Sequence, residues 1–335
     1  RQTLFRNFLL IAVLLLLLVV LAGFVSLKQK QKVNETLAEH QKQILEKNEE
    51  LLQQQEEILS QRDEIEHKNQ ILEHSQKIIA AKNDRIISSI EYAQTIQEAI
   101  LPKENLLKDV FADHFIVFLP KDIVSGDFYW FSTSGEKQFI AVIDCTGHGV
   151  PGSFMSMIGN TLLNQIVNEW QTHDPALILE YLHDKVRKAL KQDEDDKKSH
   201  MSMDVALLVY NTQTQKVTYA GARRPLYIVN KDGLFSRIPG DPRSVGGFQP
   251  EKKRYFTNQI IDIEKGDSLY LTTDGYSDQM DLFMKKFGIK PLTELLVKNY
   301  KHPMERQKTA LLNAYRAHKA GCEQIDDICI LGIRF

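Results

Sequence analysis

The stretch Gln138–Ser156, QFIAVIDCTGHGVPGSFMS, decides how the rest of the chain is read. FIAVID is an apolar run of strand length that ends on a carboxylate, Asp144. A turn comes next in which Gly147 and Gly149 supply backbone freedom, and a helical stretch then runs from Gly152 to Trp170. Other segments repeat the device of an aspartate where an apolar run meets a turn. Asp127 sits in VSGDFYWF, Asp274 ends SLYLTTD and opens GYSD, and Asp326 and Asp327 lie in QIDDICIL. An unpaired carboxylate against an apolar run is costly. Taken singly, Asp-Gly after a strand reads as a turn. Taken together, the segments read as a carboxylate cluster, whose members repel one another unless a cation intervenes. Hard ions such as Mg2+ or Mn2+ match all-oxygen donors, and two ions sharing one carboxylate can activate water as a nucleophile.

Working outward, strand signals fall at Phe115–Leu119, Asp127–Phe131, Gln138–Asp144, Val205–Tyr210, Lys216–Ala220, Leu226–Val229, Tyr255–Ile263, Leu269–Thr273 and Ile328–Arg334. Helical signals fall at Gly152–Trp170, Pro175–Lys191, Lys290–Lys298 and Met304–Lys319. DEDDKKSH, residues 193–200, reads as a charged, mobile loop. Strands interrupted by paired helices predict an α+β fold, an antiparallel sandwich with helices on its faces.

The amino-terminal third has a different character. Phe8–Val25, FLLIAVLLLLLVVLAGFV, carries no polar side chain and would span about 27 Å as a helix, close to a bilayer core. Residues 1–27 are therefore expected to be a membrane-spanning helix. Lys28, Lys30 and Lys32 after it lead to the expectation of a single-pass anchor with the remainder of the chain in the cytoplasm. From Lys28 to Leu101 there is no proline or glycine. Leu37, Ile44, Leu51, Ile58, Ile65, Leu72, Ile79, Ile86, Ala93 and Ile100 recur every seventh residue, which predicts a parallel coiled-coil dimer over 28–89. The facing positions, among them Gln41, Asn48, Asn69 and Gln97, are polar and set register at a cost in stability. Pro102 ends the helix, and a globular domain is expected over 90–335 with a linker helix at 90–101.

A chain of 335 residues accommodates these two or three units. A formal net charge of −2 gives no reason to expect nucleic-acid binding. The three cysteines, Cys145, Cys322 and Cys329, exclude a disulfide scaffold and fit a reducing compartment. Because the first residue is Arg1, a sensor segment ahead of it is expected.

The series SGDFYWF, DCTGHGVPGSFMS, LTTDGYSDQ and DDICIL, in this order, resembles the SpoIIE branch of the metal-dependent PPM-type serine/threonine phosphatases. SIEYAQTIQEAILP is similar to the helix that precedes such domains, and AGARRPLYIV and SVGGF also have family counterparts. The resemblance covers residues 90–335. It implies a PPM-type β-sandwich in α-β-β-α layers holding two Mn2+ or Mg2+ ions. Asp144 would bridge them, with Asp127, the main-chain carbonyl of Cys145, Asp274 and Asp326 completing the ligands, and a metal-bound water attacking phosphorus. Departures stand at Trp130, where the family has an acid, at Cys329, where it has Thr, and at Ser125, in place of a Gly.

His148 is a candidate general acid; a turn histidine that only bonds its own loop is the competing reading. Lys121, Arg223 and Arg224 are candidate phosphate-binding residues, against solvated surface cations. The arginines stand where the broader family can place a further metal-binding Asp. Asp204 has no assigned role. Ile96, Gln97 and Ile100 are candidate regulatory contacts through which the helix sets metal occupancy. The expected function is a membrane-anchored phosphoserine/phosphothreonine protein phosphatase, dimeric through the rod and acting on an anti-anti-sigma-type (STAS) phosphoprotein. The alternatives are a catalytically weak scaffold that binds a phosphoprotein, and a histidine-kinase-like sensor with His67 or His74 as phosphoacceptor. No nucleotide-binding glycine motif supports the latter.

Overall fold

Strand β3 (Lys137–Cys145) divides its side chains by parity. Phe139, Ala141, Ile143 and Cys145 pack toward helices α3 (Gly149–Asn164) and α4 (Pro175–Ala189). Ile140 and Val142 point the other way, into a core shared with a second sheet. This two-sided burial is why the strand reads as an unbroken apolar run rather than an alternating one. The computed structural model describes residues 2–102, 104–108, 110–111, 113–192, 200–251 and 253–335. The charged run 193–199, expected as a mobile loop, lies outside them.

The chain divides into two compact units, Arg1–Asp84 and Arg85–Phe335. Helix α1 (Gln2–Ile100) supplies the described residues of the first and continues into the second, where the short helix α2 (Glu104–Lys108) follows it. It is the helix, among the described residues, long and apolar enough to cross a membrane, with a window of mean hydropathy 3.4.

The second unit holds two antiparallel sheets. One has the order β2-β3-β4-β5-β9, with β8 on the end of β4. Its strands are β2 (Phe128–Ser134), β3, β4 (Ser202–Asn211), β5 (Lys216–Ala222), β8 (Val245–Gly246) and β9 (Gln259–Asp262). The other runs β1-β11-β10-β6-β7, from β1 (Asp113–Leu119), β6 (Leu226–Val229), β7 (Phe235–Ile238), β10 (Ser268–Thr272) and β11 (Ile328–Arg334). Ile140, Val142, Ala206 and Leu208 of the first sheet meet Ile116, Leu269, Leu271 and Leu331 of the second. Tyr270, Ile328 and Ile330 pack outward on helices α6 (Ile289–Asn299) and α7 (Met304–Lys319). The layers are therefore α-β-β-α. Each fully buried aliphatic or aromatic side chain contributes roughly 1.5–3 kcal/mol, so these cores hold the layers together.

Two expectations shift. Tyr255–Ile263 forms a strand only at Gln259–Asp262. Its first half is tied to loops instead: buried Arg254 donates to the carbonyls of Ser244, Gly246 and Phe248, and the Thr257 amide donates to Asp241. The helix after Asp144 begins at Gly149, and its last turn, Gln165–Glu169, is π-helical.

Candidate metal centre

Strand parity aims the acidic residues at one place. Asp144 shares the face of Ile140 and Val142, and Asp204 shares that of Ala206 and Leu208. The two are direct cross-strand partners on β3 and β4. Asp127, one residue before β2, and Thr273, one after β10, continue the same inter-sheet face, as does Asp327 ahead of Cys329 and Leu331. Asp274 follows Thr273 and opens the short helix α5 (Gly275–Asp278). The sandwich thus gathers at one end the aspartates that the sequence scatters over two hundred positions.

The electrostatics are those of unbalanced negative charge. Asp127 is buried, and its Oδ2 has no hydrogen-bond partner. Burial, and next to it the charge of Asp144, push its carboxyl well above the usual carboxylate range. Asp144 is pushed up to about 8, by burial first, partly offset by Arg224. Asp326 is raised by partial burial and by Asp274 and Asp327. Among the described residues, one buried guanidinium answers most of this charge. Arg224, in the β5–β6 turn, brings Nη2 to 2.6 Å from Asp274, 3.0 Å from Asp144 and 3.3 Å from Asp204. Arg223 stands outside, well exposed, with Nε 3.6 Å from Asp204. Its φ of +61° is an unusual backbone conformation for a side chain of this size.

The loops that carry the aspartates are pinned by neighbours. Gly126 and Gly152 pack backbone to backbone beside the Gly147 carbonyl. A Cβ on Gly126 would stand 2.3 Å from that oxygen and 3.4 Å from the Cys145 carbonyl. Asp327 accepts the amides of Lys121 and Gly126, both at 2.7 Å, and so straps the loop that delivers Asp127. His148 has its Nδ1 2.7 Å from Asp122 and its Nε2 2.9 Å from Lys121 Nζ. Since an ammonium only donates, Nε2 accepts and Nδ1–H donates to Asp122. At the far side of the loop, the Gln97 side chain bonds the backbone of Ser125 and the hydroxyl of Ser156.

Of the residues singled out from sequence, Asp127, Asp144, Asp274, Asp326 and Arg224 meet, and Cys145 lies beside them. His148 and Lys121 pair with each other and with Asp122, close enough for the His148 charge to act on Asp326. Gln97 is buried, whereas Ile96 and Ile100 are exposed. Asp122, Asp204 and Asp327 were not assigned roles. The parity of β4 and β11 carried the signal for the last two. Asp122 was hidden because its partner is 26 positions away.

An all-oxygen donor set, repelling charges and an orphaned buried oxygen suit divalent cations of the Mg2+ or Mn2+ kind. The present side-chain placement is not a finished cage: no three described His, Cys, Asp or Glu side chains surround one point as ligands. Asp144 and Asp274 are turned toward Arg224 instead.

Residues 134–335 match the family model described as stage II sporulation protein E (SpoIIE). The chain belongs to the SpoIIE family. The phosphoserine phosphatase RsbU of Bacillus subtilis is 28% identical over 200 residues, covering 58% of this chain and 54% of that protein. Protein IcfG of Synechocystis is 26% identical over 246 residues, 65% of this chain but 37% of its own length. The chain thus spans about half or less of these relatives. Among solved structures, the SiaA-PP2C domain of Pseudomonas aeruginosa is 30% identical with a TM-score of 0.68, over 76% of this chain and 99% of that one. The phosphatase-domain structure of SpoIIE from Bacillus subtilis shares the fold at 15% identity, with a TM-score of 0.53 over 67% and 63% of the two chains. The Arg85–Phe335 unit is accordingly a PP2C-type protein serine/threonine phosphatase domain of the SpoIIE branch.

Its departures from the SpoIIE pattern leave the aspartates in place. Trp130 lies on the α3 face of β2, buried, with Nε1 3.3 Å from Asn164 Oδ1. Cys329 is buried in the inter-sheet core, and burial pushes its thiol up, away from nucleophile chemistry.

Proposed function

We propose that this chain is a membrane-anchored, metal-dependent phosphoserine/phosphothreonine protein phosphatase, set by its linker helix and by a dimeric rod. The observation that carries the reading is the meeting of Asp127, Asp144, Asp274 and Asp326 at one end of the sandwich, with Asp127 Oδ2 buried and unpartnered. Asp127, Asp144, the Cys145 carbonyl, Asp274 and Asp326 would hold two Mn2+ or Mg2+ ions there, which would supply Lewis-acid chemistry and an activated water. The chain's own groups do the rest. Lys121 and Arg223, both solvent-reachable, attract the phosphoryl group. Asp122 holds the Nδ1–H of His148, so a proton for the leaving serine or threonine oxygen would be carried on Nε2 once Lys121 gives up its bond there.

Gln97 gives the linker helix its hold on the centre, because Ser125 is two residues from Asp127 and Ser156 belongs to the helix that comes after Asp144. A shift of that helix would move both metal-bearing loops together. The rod is the source of such a shift. Leu37, Ile44, Leu51, Ile58, Ile65, Leu72 and Ile79 are each more than half exposed, a seam that a second copy would cover. The anchor is Phe8–Val25 at the inner membrane with the phosphatase in the cytoplasm, and the substrate is a STAS-type phosphoprotein, in keeping with the relation to RsbU. One observation favours the scaffold reading, namely that Arg224 already sits on two of the ligands.

The test is phosphate release from a phosphoserine peptide by the full chain in detergent, with Mn2+, Mg2+ or chelator, beside Asp144→Asn and Asp274→Asn. Turnover that requires metal and is lost in both variants supports the phosphatase. Folded protein that neither turns over the peptide nor binds metal supports the scaffold, whereas metal binding without turnover marks a phosphatase held off.

A further inference from the structure

Asp144 and Asp204 face each other directly across β3 and β4. Like charges in that position are destabilising, and Asp274 adds a third carboxylate from the opposite sheet. What makes the arrangement tolerable is Arg224. One of its nitrogens lies within 2.6–3.3 Å of all three carboxylates, and its side chain is only 13% exposed. The turn that presents it is built tightly. The Arg224 carbonyl accepts the buried Tyr219 hydroxyl, the Arg224 amide donates to Ala222 at 2.7 Å, and a Cβ on Gly221 would stand 2.5 Å from the Arg224 carbonyl. Asp204 is held in turn by the Ser244 hydroxyl at 2.6 Å. The turn thus builds Arg224 into this pocket, and it is not a surface side chain that has fallen inward.

We propose that Arg224 is the resident cation of the carboxylate pocket and competes with divalent metal for Asp144 and Asp274, so that loading of the centre requires Arg224 to leave those two carboxylates. The inference rests on the metal-centre reading and adds a residue of this chain that sets metal affinity. The geometry supports it in two ways. A divalent ion on Asp144 and Asp274 would have to share oxygens now bonded to a positive charge, which is a direct electrostatic conflict. Asp204 offers Arg224 a place to retreat, since it bonds the same nitrogen and is not among the proposed ligands.

The experiment is calorimetric titration of Mn2+ into the chelator-stripped full chain in detergent, for wild type, Arg224→Gln and Arg224→Lys. Removing the competing charge is expected to tighten Mn2+ binding by about tenfold or more in Arg224→Gln. Arg224→Lys, which keeps the charge, should remain near wild type. The metal-free Arg224→Gln protein should also melt at a lower temperature than wild type, and added Mn2+ should close that gap. If Arg224→Gln does not stay folded without metal, its melting temperature against Mn2+ concentration reports the affinity instead. Tight binding by Arg224→Gln with little by wild type supports the competition in its strongest form. Equal or weaker binding by Arg224→Gln, with wild type binding well, overturns the role of Arg224 and leaves the metal centre standing. Binding by neither protein overturns the metal centre, and the competition with it.

Discussion

Gln97 closes a two-point amide pair on Ser125: its Nε2 donates to the Ser125 carbonyl at 2.6 Å and its Oε1 accepts the Ser125 amide at 3.0 Å. It is the one buried residue of α1. Pairing a backbone peptide with a side-chain amide fixes both the position and the tilt of that peptide, which leads to Gly126 and Asp127.

Gln97→Ala should therefore act on catalysis more than on folding. Left unpaired, the buried Ser125 backbone groups would cost about 1–3 kcal/mol, a modest loss for a domain with three separate cores. A displaced Asp127 should lower turnover by about a hundredfold. Phosphate release and thermal melting on the same preparation check this. A large melting shift with turnover intact would reduce Gln97 to a packing residue.

Asp127→Asn should separate stability from function. The carboxylate is buried without a partner for Oδ2, and it repels Asp144. An amide has no charge to desolvate and none to repel Asp144, so the melting temperature of the metal-free protein in chelator should rise, by about 2–4 °C for each kcal/mol gained. Turnover and Mn2+ binding should both fall to background. A lower melting temperature in chelator would mean that Asp127 serves the fold rather than the site.

Much of this centre was legible in the sequence because its parts lie at strand ends, where an apolar run stops on an acid. The parity of FIAVID puts Asp144 between the sheets, and the aspartate beside Ile328 obeys the same logic. Other features were not legible. Asp204 lies inside a strand rather than at its end, and only the register of β3 against β4 sets it opposite Asp144. Arg224 was a candidate for phosphate, but its place among the carboxylates depends on a turn shaped by Gly221 and Tyr219 that no local pattern announces. Trp130 looked like a lost acid, yet its side chain faces α3 and never approaches the aspartates. Tyr255, Phe256 and Thr257 carry β-type side chains, but Arg254 just before them is tied to the loop at Ser244–Phe248 and Thr257 and Asn258 bond Asp241 and Asp174 instead of joining a ladder.

That hub yields a pH dependence. The hydrogen bond from Arg254 holds Glu251 down to about 2, below its ordinary value of about 4.3. A depressed carboxyl contributes stability that is complete above the unfolded value and lost as pH falls toward the folded one. Its protonation leaves the buried Arg254 without its carboxylate. Glu251→Gln should thus cost about 1–3 kcal/mol at neutral pH, and the difference from wild type should shrink between about pH 4 and pH 2. Denaturant titrations across that range measure it. A difference that stays constant with pH would place the effect of Glu251 elsewhere than in its charge.

Asp122 and His148 should behave as one functional unit. Asp122 accepts the imidazole Nδ1–H at 2.7 Å, while its Oδ2 would lie 2.8 Å from a Cβ on Gly149, so the carboxylate and the turn are fitted to each other. If His148 carries a proton for the leaving oxygen, the service of Asp122 is to orient the ring and fix its tautomer. Asp122→Ala should then lower kcat by about ten- to a hundredfold with little change in KM, and His148→Ala by about a hundredfold or more. The double variant should be no slower than His148→Ala alone, because an orienting group has nothing left to orient. Steady-state kinetics on a phosphopeptide read out the cycle. Losses that simply multiply in the double variant would show that the two residues act independently. Full activity in His148→Ala would return the pair to a structural clasp on the turn.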